Sequence, residues 1–164
     1  MRKWIVVTHS IFILMLTLLL LSGCATTRYG NYVQNDSSAH NNVMASDAAY
    51  QLLQHYPPAS TRFELQHVAE DSFGAAFVDY LRSGGYAVQE YQSSKFAAMD
   101  TTETDNKGIA LAYILDDTSD IYRLSLTVDE QRLTRAYTPD QDKILPAGHW
   151  LRMEEGAKQN GNGL

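Results

Sequence analysis

The chain has 164 residues, a formal net charge of −6 and a single cysteine. That length suits one small domain with a leader or tail rather than two separate cores. An acidic surface with no basic, aromatic-lined stripe argues against nucleic-acid binding, and one thiol excludes an internal disulfide and any multi-thiolate metal site.

The first element is an address. Arg2 and Lys3 make a short positive end, and Ile11–Leu21 is apolar except for Thr17, which is the length of a signal-peptide hydrophobic region. Counting from Trp4 gives 18 residues to Leu21, so an uncleaved anchor helix is the alternative. The run ends in Leu21-Ser22-Gly23-Cys24, an aliphatic residue, two small residues and cysteine. This tetrapeptide resembles the bacterial lipobox. The resemblance implies that the Cys24 sulfur carries a diacylglyceryl group and that the chain is cut just before Cys24. The new amino group would then be acylated, palmitate being the expected chain. Each buried methylene contributes about 0.8 kcal/mol, so two or three chains hold firmly where one does not. Ala25, rather than Asp, follows the cysteine. By the same resemblance this implies the periplasmic face of the outer membrane, with a Gram-positive surface as the alternative. Residues 1–23 take two positive charges and no acid with them, which leaves residues 24–164 at −8.

Residues 24–45 read as the lipidated cysteine and a flexible tether. Asn35-Asp36-Ser37-Ser38 and His40-Asn41-Asn42 favour turns or disorder, and about 20 extended residues reach on the order of 65 Å. Inside it, Tyr29, Tyr32 and Val33 form an apolar knot. They are candidate docking residues for a partner, or they lie on the domain or the lipid surface.

A compact domain is expected over residues 46–153. Ser46 and Asp47 open a first helix, with Ala49, Leu52, Leu53 and Tyr56 on its apolar face and Pro57-Pro58 ending it. Residues 62–68 read as a strand with Phe63, Leu65 and His67 on one side. A second helix starts around residues 70–72, buries Phe73, Ala76, Phe77, Tyr80 and Leu81, and stops at Gly84-Gly85. Residues 86–91 complete a strand–helix–strand unit, and residues 92–107 read as a loop. Strands follow at 109–115, 121–128 and 133–137, with turns at 116–120 and 129–131. The last of the three is polar enough for an edge. Residues 149–153 add a short strand, and 154–164 form a frayed tail. The pattern predicts an α+β, two-layer sandwich: a βαβ unit, then an antiparallel meander, with helices on one face of a small mixed sheet.

No catalytic pattern emerges. His40, His55, His67 and His149 have no metal-site spacing, and no nucleophile elbow or phosphate loop occurs. Asp116, Asp117, Asp120, Asp129 and Glu130 cluster, but in predicted turns, where Asp is favoured for local hydrogen bonds. A weak calcium site at 116–120 lacks the loop spacing such sites need. No cofactor, metal site or enzymatic activity is expected.

Several stretches together resemble the conjugal transfer protein TrbH family: residues 21–26, the Arg28-Tyr29-Gly30-Asn31-Tyr32-Val33 segment, Ser46–Tyr56, Phe73–Val88 and Tyr122–Tyr137. Members are small lipoproteins encoded with plasmid mating-pair-formation systems, a branch of type IV secretion. The resemblance implies a structural, lipid-anchored envelope component that helps assemble or stabilise a transfer channel. Its partners would be channel subunits, further copies of itself, and the membrane through acyl chains on Cys24, with no direct nucleic-acid contact. Two other readings stay open. One is a general envelope lipoprotein, such as a pilotin for another assembly. The other is a cell-wall enzyme using Asp117 and Asp129.

Overall fold

The computed structural model describes residues 28–34, 37–91, 108–119 and 121–154. The elements run β1 (Gly30–Asn31), α1 (Ser38–His55), β2 (Arg62–Leu65), α2 (Ser72–Ser83), β3 (Ala87–Gln89), β4 (Ile109–Thr118), β5 (Ile121–Val128), β6 (Gln131–Asp140), β7 (Lys143–Pro146) and β8 (Leu151–Glu154). The eight strands share one mixed sheet, ordered β3-β2-β4-β5-β6-β7, with β1 also beside β4 and β8 also beside β6. β2 pairs in parallel with both β3 and β4, and β4, β5 and β6 are antiparallel neighbours. The α+β sandwich expected from the sequence, with its βαβ unit and its meander, is the fold observed.

One edge of β4 is shared by two strands. β2 takes Ile109–Leu111, and β1 takes Ile114 and Leu115. The outer edge of β6 is shared in the same way, with Tyr137–Asp140 paired to β7 and Gln131–Thr134 to β8. The strand at 133–137 is therefore interior, against the expectation of an edge. Its polar residues are tolerated because Arg135 finds a half-buried partner in Asp47 and Thr134 bonds Ser125 across the sheet at 3.0 Å.

Alternation sorts the sheet into two faces. Phe63, Leu65, Leu111, Tyr113, Leu115, Leu124, Leu126, Leu133 and Tyr137 point into the core. There they meet Met44, Ala45, Ala48 and Leu52 of α1 and Phe73, Phe77 and Leu81 of α2. The other face carries Ala110, Ala112, Ile114, Ser125, Thr134 and Ala136 by register. Among the described residues no helix lies on it.

The first helix begins nine residues earlier than the sequence suggests. Ser37, not Ser46, is its cap, and the Ser37 hydroxyl accepts from the His40 N–H. Residues 38–45 thus belong to the packed body and not to a tether. Met44 and Ala45 are fully buried, and Asn41 is buried with its amide donating to the Ser72 hydroxyl. A tertiary partner offsets the poor helix propensity of Asn41. Leu53, expected in the core, is exposed, because the buried stripe runs through Ala45, Ala48, Ala49 and Leu52.

α2 follows its sequence signals closely. Asp71 caps it through a 3.0 Å bond from the Gly74 N–H. At its end Gly85 takes φ +90°, and the Tyr86 N–H reaches back to the Leu81 carbonyl at 3.1 Å, which is the Schellman closure. β4 runs on to Thr118, so Asp116 and Asp117 lie in a strand instead of the expected turn. β7 was not foreseen. The proposed frayed tail beyond Glu154 and the loop at 92–107 lie outside the described residues.

Candidate functional site

Leu21, Ser22, Gly23 and Cys24 lie outside the described residues. What the structure places is the segment immediately after them. Gly30 and Asn31 pair with Ile114 and Leu115, and the Tyr32 N–H donates to the Leu115 carbonyl at 2.8 Å. The Asn31 carboxamide oxygen accepts from the Val33 N–H at 3.0 Å, which turns the chain off the strand. Of the three candidate docking residues, Tyr29 sets its ring edge-on to His67, with centroids 5.8 Å apart. Val33 packs against the core. Tyr32 stays 49% exposed. The knot inside the expected tether is thus largely an intramolecular clasp.

His67 sits behind that clasp. It is buried between Tyr29 and Tyr113, and the centroid of the Tyr113 ring is 4.3 Å from its own. Burial holds the imidazole below its ordinary pKa, partly opposed by the Asp71 carboxylate. Its Nε2 lies 3.2 Å from the Tyr113 carbonyl, and its Nδ1 has no partner among the described residues. The Tyr113 hydroxyl donates to the second oxygen of Asp71. Burial and this bond push the phenol well above its usual range, so it stays protonated and acts as a donor. Histidine, tyrosine and carboxylate meet here, but Tyr113 is fully buried among Phe73 and Phe77. The cluster holds α2 to the sheet.

A second polar cluster was not legible in the sequence. Asp47, in mid-helix, accepts from Arg135 Nη1 at 2.9 and 3.0 Å, from the Tyr137 hydroxyl at 2.5 Å and from the Trp150 indole N–H at 3.2 Å. Arg135 Nε also donates to the Gly148 carbonyl at 3.1 Å. The partners lie 88 to 103 residues from Asp47, beyond the reach of any local pattern.

Among the described residues the acidic side chains do not converge. Asp116 takes two bonds from Arg123, at 3.0 and 2.6 Å. Asp129, in a left-handed turn, accepts from the Ala110 N–H at 3.0 Å. Among the described residues no group of three or more His, Cys, Asp or Glu side chains could hold a metal ion. The sheet face opposite the helices carries a shallow groove of about 320 Å³, bounded by Ile121, Arg123, Thr134, Ala136, His149 and Leu151. No described helix is long and apolar enough to cross a membrane.

The described residues form an α+β sandwich in which two polar clusters fasten the helices to one face of the sheet. The chain belongs to the conjugal transfer protein TrbH family, whose model matches residues 26–154. It is therefore a conjugal-transfer protein, related to type IV secretion, of a family that is not a known enzyme family. No curated protein and no solved structure matches the chain.

Proposed function

We propose that the chain is a lipid-anchored subunit of the cell envelope that helps assemble or stabilise a conjugative channel. In this reading it is held by acyl chains on Cys24 at the periplasmic face of the outer membrane. The observation that carries the reading is a juxtaposition. The family match begins at residue 26, two residues after a cysteine set in Leu21-Ser22-Gly23-Cys24. A signal with that ending delivers the domain to the envelope, and two or three acyl chains keep it there. The channel's protein subunits are its partners, and copies of the chain itself are a further arrangement.

Cys24→Ser tests the reading. The variant should be made and folded, leave the outer-membrane fraction and lower plasmid transfer between cells. Unchanged fractionation of the variant, or an intact mass without added acyl groups on the native chain, refutes the anchor. Affinity capture of the acylated chain from membranes tests the partner. Recovery of a secretin without conjugation subunits would refute the channel assignment in favour of a pilotin.

A further inference from the structure

The reach of the anchor is set by where β1 docks. Its pairing to Ile114 and Leu115, the Tyr32–Leu115 bond, the Tyr29–His67 contact and the packing of Val33 fix residues 29–33 to the domain. Cys24 precedes Arg28, where the described segment starts, by four positions. Whatever path residues 25–27 take, four residues span at most about 14 Å at full extension. A tether running to residue 45 would have given several times that reach.

We infer that the β1 corner of the domain is a bilayer-contact surface, seated at the phospholipid headgroup layer. This rests on acylation of Cys24, as proposed above. The side chains at the corner suit that layer. Tyr32 and Val68 are each 49% exposed, and Val68 directly follows His67, the residue beneath the Tyr29 ring. A tyrosine ring with an apolar body and a polar tip is at home among headgroups. Nearby acids temper the contact. Asp116 is paired with Arg123 at 2.6 Å, and Asp117 follows it on β4. The acyl chains therefore supply the affinity, and the short reach from Cys24 to β1 supplies the orientation. A domain of this size has a radius of gyration of about 14 Å. Held that close, it is confined to the membrane surface, and its protein partner must be met there and not across the periplasm.

The test uses the full acylated chain in phosphatidylethanolamine and phosphatidylcholine vesicles. Acylation blocks the Cys24 sulfur, so Tyr32→Cys and Met153→Cys each offer one thiol for an environment-sensitive fluorophore. Met153 pairs with Arg132 at the opposite edge and opposite end of the sheet. Headgroup-spin-labelled lipid should quench the probe at position 32 severalfold more than the probe at 153. Inserting 20 Gly/Ser residues between Thr27 and Arg28 should remove the difference while leaving the acylated mass unchanged. Equal quenching at the two positions, or a difference that survives the insertion, overturns the inference while the anchor stands. An unacylated mass overturns the anchor and the inference with it.

Discussion

Removing the carboxylate of Asp47 should be among the most damaging polar substitutions in the chain. Asp47→Ala strands three donors at once: the Arg135 guanidinium, the Tyr137 hydroxyl and the Trp150 indole N–H. Tyr137 is fully buried, and the Asp47 and Arg135 side chains are 24% and 17% exposed. Breaking a buried ion pair costs about 3–5 kcal/mol, and an orphaned buried hydroxyl alone costs about 1–3 kcal/mol. The two overlap, and partial exposure lets water reach Arg135, which brings the expected loss to about 3 kcal/mol. For a domain of this size that lowers Tm by roughly 10 °C. Asp116→Ala is the control, because its partner Arg123 is 61% exposed at 2.6 Å. An exposed pair of that kind contributes under about 1 kcal/mol. Urea unfolding followed by circular dichroism measures both variants. If Asp47→Ala falls within about 1 kcal/mol of Asp116→Ala, the cluster does not fasten α1 to the sheet as argued.

Two further outcomes follow from the cluster around α2. A Cβ added at Gly74 would collide with the Tyr113 hydroxyl and come within 2.8 Å of the Ala69 carbonyl oxygen, so Gly74→Ala should destabilise by about 1–3 kcal/mol despite its better helix propensity; a stabilised variant in thermal melts would contradict the packing. His67 is held below its ordinary 6.5 chiefly by burial, against the pull of Asp71. The unfolded chain therefore takes up a proton below pH 6.5 that the folded chain refuses. Its contribution is complete above 6.5 and is lost as pH falls from there through the folded value. His67→Gln should flatten the stability–pH curve in that window, and an unaltered slope in urea titrations would show that another group sets it.

The parts of the fold that the sequence revealed are those whose causes are local. The second helix is written in Asp71, in Phe73, Phe77 and Leu81, and in Gly84-Gly85, all within one short stretch. The hairpin strands show in the alternation of Leu111, Tyr113 and Leu115 and of Leu124, Leu126 and Val128. The start of α1 was hidden because the partners of Asn41 and Asn42 are Ser72 and Tyr80, distant in sequence. Two-residue β1 was hidden for the same reason. Gly30-Asn31 has the composition of a turn, and only the free edge of β4 beyond Leu111 makes it a strand. The resemblance of Leu21-Ser22-Gly23-Cys24 to a lipobox was legible because a linear tetrapeptide needs no folding to be recognised. The clasp of Tyr29 and Val33 was not, because His67 and the core that receive them exist only after folding.

The two aspartates that meet tyrosines explain how a smooth apolar interface acquires a single register. Alanine and leucine side chains on α1, and phenylalanines on α2, bury almost as well after a small rotation of either helix, since the hydrophobic effect is not directional. Asp47 on α1 and Asp71 at the cap of α2 remove that freedom, because only one rotation brings each to the hydroxyl of Tyr137 or Tyr113. For α2 the argument has a sharp consequence. Asp71→Ser keeps a capping oxygen but orphans the Tyr113 hydroxyl, at a cost of about 1–3 kcal/mol. Adding Tyr113→Phe removes the orphan, so the double variant should recover part of that loss, becoming more stable than the single one. It should nonetheless have less uniquely fixed helix packing, visible as faster amide exchange along residues 73–81 and broadened resonances from the Phe73 and Phe77 rings. If the second substitution costs further stability instead, the Tyr113 hydroxyl is satisfied elsewhere and α2 takes its register from packing alone.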